Sequence, residues 1–329
     1  NNATCMALPT GQPISTERND HIVKYYPENQ EQKMGEIYRY AFVTDSVEGL
    51  IVVNVETLAD GEPRNNFLKR TVTWNANNVL AGARHITLGG NYAYITANIG
   101  LVVVDLTDPK APKLAATIPL RDARASALQF RYLWVTTADG LQLVDVTHLE
   151  RPVLVPEATV PLANAQRVYL ARTYAYVAAK QDGLVIVDIT RPLKPKLYQK
   201  VSFDGRLNDA EDVIVGTTNA SLFAYVADGR NGLKVIQLTS PDSQPNFYGF
   251  SPAPKPELIA WAKTPTPALS LSKGLDRDRG VDESGNQIAI FGRVGSRPFK
   301  RNEMEKLYLN SRGMPWKVSD VADLNDYVP

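Results

Sequence analysis

A phrase that recurs five times constrains the fold of this chain more than any other feature. Each copy consists of an aromatic-rich strand, a glycine turn and an apolar strand that ends in an acidic or amide residue. The copies span residues 40–58, 92–109, 132–152, 174–192 and 223–241. Their turn glycines are 51, 40, 43 and 49 residues apart, at Gly49, Gly100, Gly140, Gly183 and Gly232. Units of roughly 40 to 50 residues are typical of four-stranded β-propeller blades, so we expect an all-β propeller.

The other two strands of each blade are predicted by the residues around the repeated phrase. An alanine, a polar residue and a short apolar alternation precede the aromatic strands of the later copies and predict the strand nearest the axis. An outer strand is predicted at residues 113–119, 153–160, 196–203 and 257–263. Asp105, Asp145 and Asp188 end buried strands and precede a turn. We expect these three carboxylates to accept backbone N–H bonds rather than to take part in catalysis.

The ends of the repeat region determine the number of blades. Residues 267–274 and 287–293 predict two further strands on either side of a polar loop, and residues 22–26, ahead of the first copy, are candidates to complete that blade. Pairing of strands from the two ends of the chain would remove an exposed sheet edge. We therefore expect six blades over residues 21–295, with five and seven blades as the alternatives.

The segments outside the repeats predict appendages. Residues 1–20 predict an extended N-terminal arm, and residues 296–329 predict a C-terminal tail that lies across the propeller or on a partner. A short helix is expected in that tail, with Asn302 as its N-cap and Glu305 three residues later. The chain begins NNATC, without Met, which predicts either a processed export product or a piece of a longer polypeptide.

Composition excludes several classes of function. Thirty-six Lys and Arg residues balance 35 Asp and Glu residues, which argues against nucleic acid or an anionic membrane as the main partner. A single cysteine rules out a disulfide within the chain, and three histidines make an intrinsic zinc site unexpected. No apolar run approaches the roughly 18 residues that a membrane-spanning helix needs.

The apolar strand of the repeat resembles a known family. Residues 184–188 read LVIVD, and residues 101–105 and 141–145 are close variants, so the chain is similar to the LVIVD-repeat proteins of bacteria and archaea. The first and fifth copies depart from the pattern, with Asn54 and Gln237 in place of the acid. The resemblance implies a β-propeller that is exported to the cell surface or periplasm and in some cases associates with multihaem cytochromes. It implies no shared catalytic residues.

Polar residues that precede the innermost strands form the main candidate site. They occupy equivalent positions, so symmetry predicts that they and their neighbours ring one mouth of the central channel; the residues are Arg84, His85, Arg124, Gln166, Arg167, Glu211 and Asp212. Such a ring could bind an anionic or polar ligand. The alternative is a water-filled channel in which arginines and carboxylates pair with one another.

Two further features bear on ligands and partners. An acidic loop contains Asp276, Asp278, Asp282 and Glu283, which predicts either a calcium site or a solvated loop with internal ion pairs. Cys5 is a candidate for a disulfide to another chain, with a free thiol as the alternative. Without a C-x-x-C-H motif this chain cannot attach c-type haem, so we expect no cofactor of its own and haem only through a partner or a missing segment.

Two functional hypotheses follow. The first is a non-catalytic, exported binding or scaffold propeller that docks another protein, such as a multihaem cytochrome, or assembles with itself. The second is a hydrolase or lyase at the channel mouth, with His85 as general base and Arg84, Arg124 and Arg167 holding an anionic substrate. The sequence favours the first, because it contains neither G-x-S-x-G nor H-E-x-x-H.

Overall fold

In the part of the chain that the structure describes, twenty strands form five four-stranded antiparallel sheets. The computed structural model describes residues 2–9, 24, 36–55, 68–218, 221–242, 251–272, 293–294, 297–298 and 301–315. Each sheet contains four strands that are consecutive in the chain. The prediction of an all-β fold built from four-stranded units is therefore confirmed, and each sheet is called a blade below.

The bounds of the strands are as follows. Blade 1 contains β1 (Ala3–Ala7), β2 (Tyr40–Asp45), β3 (Gly49–Asn54) and β4 (Lys69–Trp74). Blade 2 contains β5 (His85–Gly89), β6 (Tyr92–Ala97), β7 (Gly100–Asp105) and β8 (Lys113–Pro119). Blade 3 contains β9 (Ala125–Gln129), β10 (Tyr132–Thr137), β11 (Gly140–Asp145) and β12 (Val153–Val160).

The remaining elements complete the described fold. Blade 4 contains β13 (Val168–Ala171), β14 (Tyr174–Ala178), β15 (Leu184–Asp188) and β16 (Lys196–Val201). Blade 5 contains β17 (Asp212–Thr218), β18 (Ser221–Ala227), β19 (Leu233–Thr239) and β20 (Glu257–Ala262). Outside the blades are the strands β21 (Arg293–Val294) and β22 (Arg297–Pro298), the helix α1 (Arg301–Tyr308), and short 3₁₀ helices at Glu36–Arg39 and Ala76–Asn78.

The first strand of each blade lies beside the first strand of the next. These contacts join β1 to β5, β5 to β9, β9 to β13 and β13 to β17. The first strands therefore gather around a common centre, and the fourth strands lie at the outer edges, as predicted. β8 and β12 have the predicted bounds, and β16 and β20 end one or two residues earlier than expected.

The turn glycines are required by close backbone approach. Gly140 has φ +123°, and a Cβ atom placed there would lie 2.2 Å from the carbonyl oxygen of Val160 in the outer strand. Gly100 has the same geometry, with φ +124° and the carbonyl oxygen of Ile118 at 2.2 Å. No side chain fits at this separation, and positive φ is also unfavourable for other residues. The repeated glycine thus allows the backbone of the turn to approach the backbone of the outer strand closely.

Apolar cores lie between successive blades. Leu133 and Val135 of β10 pack toward blade 2, whereas Trp134 between them packs toward blade 4. In β14, Val177 packs toward blade 3 and Tyr176 toward blade 5. Alternate residues of a strand point to opposite faces, so a strand buried on both faces is apolar throughout. This explains why the repeated strands contain few polar residues.

The carboxylates that end the repeated strands are structural. The carboxylates of Asp105 and Asp145 each accept a hydrogen bond from the backbone N–H two residues later, at 2.8 Å in both cases. Asp188 accepts the equivalent bond from Thr190 N at 2.9 Å. Each aspartate thereby closes a turn at the end of its strand. The prediction of backbone hydrogen bonding is confirmed for all three.

The N-terminus differs from the expectation of an arm. Ala3–Ala7 forms β1, which pairs with β2 as the innermost strand of blade 1. Thr4 Oγ1 donates to the carbonyl oxygen of Ala83 at 2.9 Å and so ties this strand to blade 2. Its pairing partner is far away in sequence and its composition carries no repeat signature, so only tertiary contact reveals the strand. Residues 22–26, expected to complete the additional blade, lie outside the described residues except for Lys24.

The segment after blade 5 also differs from prediction. Residues 267–272 form no strand, and their one β-type pairing among the described residues is an isolated bridge between Ala268 and Gly229. Pro265 and Pro267 lack backbone N–H groups, which disfavours sheet pairing here. Residues 287–292 lie outside the described residues, while Arg293 of β21 pairs with Pro298 of β22. The sixth blade therefore remains a prediction.

The expected helix is present, but its start is different. α1 begins at Arg301, so Asn302 lies inside the helix and is not its N-cap. Arg301 forms ion pairs with Glu305 one turn later and with Glu150 of the propeller. Met304 is fully buried in the core between blades 2 and 3. This part of the tail therefore lies against the propeller rather than away from it.

Candidate functional site

The residues that precede the innermost strands occupy equivalent positions in four blades. The backbone N–H of Arg84 donates to Thr96 O at 2.8 Å, and that of Arg124 donates to Thr136 O at the same distance. The N–H groups of Gln166 and Glu211 make the corresponding 2.8 Å bonds to the neighbouring strand of their own blades. The same hydrogen bond in each blade fixes the four side chains at one end of the inner strands.

These side chains surround a cavity of about 300 Å³, which we call the channel-mouth cavity. Its lining comprises Arg84, Asp122, Arg124, Gln166, Arg167, Glu211 and Leu269. Five of the seven residues predicted for the channel mouth thus meet at one place. Within the described part of the chain, His85 and Asp212 do not belong to this lining.

Asp122 bridges two arginines of the cavity. Its carboxylate accepts hydrogen bonds from Arg124 Nε at 2.9 Å and from Arg124 Nη2 at 2.6 Å, and it also pairs with Arg84 Nη1 from the preceding blade. Burial alone would raise the pKa of Asp122, but the hydrogen bonds from Arg84 and Arg124 hold it below its ordinary value. The bridge therefore links two blades and neutralises part of the positive charge.

A second ion-pair group lies on the other side of the cavity. Lys180 pairs with Glu211 and, at 3.5 Å, with Asp209. Gln166, between the two groups, donates from Nε2 to the backbone oxygen of Asn164 at 3.1 Å. The alternative given by the sequence was that charged side chains around the channel pair with one another. This pairing is observed for Arg84, Arg124 and Glu211.

Arg167 differs from Arg84 and Arg124 in its charge partners. Its Nη1 lies 4.0 Å from Cys5 Sγ, across the centre from blade 1, which is a weak contact for a guanidinium. Asp212 interacts with Arg167 electrostatically, but no ion pair of Arg167 is found among the described residues. Arg167 therefore lines the channel-mouth cavity with a positive charge that no carboxylate of the described chain neutralises at short range.

Asp212 and His85 have structural partners. Asp212 is buried, and its carboxylate accepts N–H bonds from Val213 and Leu271, each at 2.8 Å. Desolvation raises the pKa of Asp212 above its ordinary value. His85 Nδ1 accepts the backbone N–H of Ser126 at 3.2 Å. A neutral imidazole that accepts at Nδ1 carries its proton on Nε2, so that nitrogen is a donor and not a base.

The other predicted sites have separate outcomes. Asp276, Asp278, Asp282 and Glu283 lie outside the described residues, and calcium binding there stays a prediction. Cys5 is a half-buried free thiol on β1, and its disulfide to another chain also stays a prediction. Within the described ranges, no group of three or more His, Cys, Asp or Glu side chains is arranged to hold a metal ion. None of the helices described has the length and apolar character needed to cross a membrane.

Sequence reasoning missed Asp122, Lys180 and Leu269. Asp122 lies two residues before Arg124, and Asn164 and Asp209 occupy the matching positions before Gln166 and Glu211. This polar residue recurs in register, so the sequence did contain a signal for it. Leu269 carried no such signal, because it reaches the cavity through a segment without repeat character.

Five consecutive four-stranded blades, with their first strands gathered around a central cavity, define a β-propeller protein. More particularly, the chain contains LVIVD repeats. The family model described as LVIVD repeat matches residues 82–118, 163–202 and 219–250, which fall on blades 2, 4 and 5. The resemblance inferred from residues 184–188 is thereby confirmed.

Solved structures share the fold at low sequence identity. A Bacteroides uniformis protein provisionally assigned as a 6-phosphogluconolactonase is similar, with 11% identity, TM-score 0.53 and 70% of each chain covered. A Bacteroides fragilis protein with the same provisional assignment has 10% identity, TM-score 0.50 and 70% of each chain covered. The β-propeller domain of Swd1 from Myceliophteria thermophila has 12% identity and TM-score 0.48, over 71% of this chain and 72% of that one. No curated protein sequence matches this chain. At these identities the likeness concerns the fold alone.

Proposed function

We propose that this protein is a non-catalytic binding propeller that acts outside the cytoplasm and holds a partner protein at its channel mouth. The β-propeller and its LVIVD repeats support a binding role in general terms. Similarity to an exported family supports the location at the cell surface or in the periplasm. The same similarity makes a multihaem cytochrome the first partner to test.

The observation that supports this proposal most directly is the positive charge of Arg167 in the channel-mouth cavity. Arg84 and Arg124 share Asp122, whereas Arg167 lines the same cavity without an ion pair in the described chain. A guanidinium offers a planar set of donors that fits a carboxylate or phosphate through two parallel hydrogen bonds. We therefore infer that the partner presents an anionic group to the channel-mouth cavity.

The geometry gives less support to a hydrolase or lyase. The arginines expected to hold a substrate include Arg84 and Arg124, and both are already bound to Asp122. His85, the expected general base, accepts a backbone N–H at Nδ1 and lies outside the described cavity lining.

Capture of the partner by wild-type and Arg167→Gln protein tests the proposal. Both would be used as bait in native extract under mild, non-reducing conditions, with the captured proteins identified by mass spectrometry. We expect the wild type to retain one specific partner and Arg167→Gln to lose it, because glutamine keeps the polar shape without the charge. Arg121→Gln is the matched control, since Arg121 is exposed and pairs with Asp139 away from the cavity. Equal capture by all three proteins would contradict the proposal.

Two readouts separate the finer parts of the proposal. A haem Soret band in the captured material would identify a cytochrome, whereas a colourless partner would exclude that class and leave binding through Arg167 intact. Detection of the native protein in periplasmic or surface fractions tests its location. Recovery in the cytoplasmic fraction alone would contradict export.

A further inference from the structure

The outer strand of blade 5 lacks the protection that the other outer strands carry. An exposed sheet edge offers unpaired N–H and C=O groups, and proteins commonly block it with lysine, proline or inward-pointing charge. The four other outer strands contain such residues, namely Lys69 and Arg70 in β4, Lys113 and Pro119 in β8, Pro156 and Glu157 in β12, and Lys196 and Lys200 in β16. β20 reads ELIAWA, with Glu257 at its start as its only charge.

The side chains of β20 are also exposed. Trp261 is 63% exposed and Ile259 is 45% exposed, and Ala260 between them is exposed as well. Among the described residues, no strand pairs with the outer side of β20. All five outer strand pairs contain a register irregularity, so a bulge does not distinguish this edge from the others. An open, apolar edge of this kind is suited to pairing with another strand.

The sequence of this edge is complementary to itself when it is reversed. In E-L-I-A-W-A-K, residues 257–263, antiparallel pairing about Ala260 places Glu257 opposite Lys263 of the second copy. The same register places Ile259 opposite Trp261 of the second copy, which is a favourable aliphatic–aromatic cross-strand pair. Among the described residues, neither Glu257 nor Lys263 has an ion-pair partner.

We propose that β20 is the self-association edge of this protein, through which two copies pair antiparallel about a two-fold axis at Ala260. A two-fold interface uses the same patch on both molecules, which fits a segment whose charges and apolar residues match under reversal. The two blade 5 sheets then form one continuous sheet. This pattern is specifically complementary to a second copy of the same strand, which favours self-association over binding of an unrelated peptide.

The dimer is expected to be weak. Pairing of one short strand on each side buries less than the roughly 1,200 Å² of a small stable interface, so dissociation falls in the micromolar range. β20 is at the outer edge, whereas Arg167 is at the centre. Failure of this proposal therefore leaves the channel-mouth proposal intact, and the reverse also holds.

A charge-reversal series tests the register. Sedimentation velocity would be run on the full chain over a micromolar dilution series for the wild type, Glu257→Lys, Lys263→Glu and the double variant. Each single change places two pairs of like charges across the interface. We therefore expect the dimer dissociation constant to rise about tenfold. The double variant restores opposite charges and should regain wild-type association. Circular dichroism would establish that each variant is folded.

Cross-linking provides a second, independent test. Opposed Cα atoms in antiparallel strands lie about 4.5 to 5.5 Å apart, within the range that a disulfide spans. In a Cys5→Ser background, Ala260→Cys should form a covalent dimer under mild oxidation. Val153→Cys is the matched control, because Val153 is also exposed and lies on the protected outer strand β12. A wild type that stays monomeric, association that ignores the single charge changes, or equal cross-linking by the control would each overturn the proposal.

Discussion

At the level of single residues, Asp122 sets the charge of the channel mouth. Its backbone φ is +52°, a conformation that asparagine tolerates, so Asp122→Asn removes charge with little backbone strain. We expect Asp122→Asn to be about 1 kcal/mol less stable at neutral pH, because Arg84 and Arg124 then face each other without a counter-charge. Urea unfolding at neutral pH measures this difference.

The pH dependence of that loss has a definite sign. The folded pKa of Asp122 is lowered, so its contribution is present above the ordinary carboxyl pKa and is lost as pH falls through the folded pKa. The stability gap between wild type and Asp122→Asn should therefore close in acid. Asp139→Asn, at the exposed pair with Arg121, is the control and should cost about 0.5 kcal/mol or less. A stability difference between wild type and Asp122→Asn that increased in acid would contradict the lowered pKa of Asp122 in the folded protein.

At the level of elements, helix α1 is held to the propeller by its buried face. Met304 is fully buried between blades 2 and 3, beside Gly90, where a Cβ atom would lie 2.8 Å from the Met304 sulfur. We expect Met304→Ala to lower the free energy of unfolding by about 2 to 4 kcal/mol, since it leaves a cavity under the helix. Thermal unfolding and limited proteolysis of the tail would measure the loss.

Asn302→Ala is the matched control within the same helix. Asn302 is exposed and lies inside α1, where alanine has the better helix propensity, so the change should be neutral or slightly stabilising. If Asn302 were instead the N-cap, the same substitution would cost about 1 kcal/mol. A loss of that size would therefore contradict the observed start of the helix.

At the level of the whole molecule, the cores between blades account for much of the stability. Trp134 is fully buried between blades 3 and 4. We expect Trp134→Ala to cost about 3 to 5 kcal/mol in the free energy of unfolding, because both its contacts and the space it fills are lost. Trp261→Ala is the control, since Trp261 is 63% exposed, and it should change stability by about 0.5 kcal/mol or less below the concentration of self-association. Equal losses would contradict this view of the cores.

The sequence predicted much of this architecture because the repeat is a local signal. Bulky and small residues alternate in β10 and β14 since each strand packs differently on its two faces, and that period is visible in the chain itself. Gly140 is predictable for the same reason, because a tight hairpin needs positive φ wherever it occurs. Four of the channel-mouth residues, Arg84, Arg124, Gln166 and Glu211, followed from their equivalent positions, and Arg167 followed as a neighbour of Gln166.

By itself, the sequence determined the class of fold, the bounds of most strands and the layer of residues at the channel mouth. Tertiary structure decided which of these charges are neutralised. Arg84 and Arg167 both line the channel-mouth cavity, yet Arg84 is bound to Asp122 of the next blade and Arg167 has no such partner among the described residues, because this ion pairing depends on side chains brought together from different blades. Tertiary structure also decided the role of Ala3–Ala7, whose pairing with β2 is a long-range contact that no local pattern encodes.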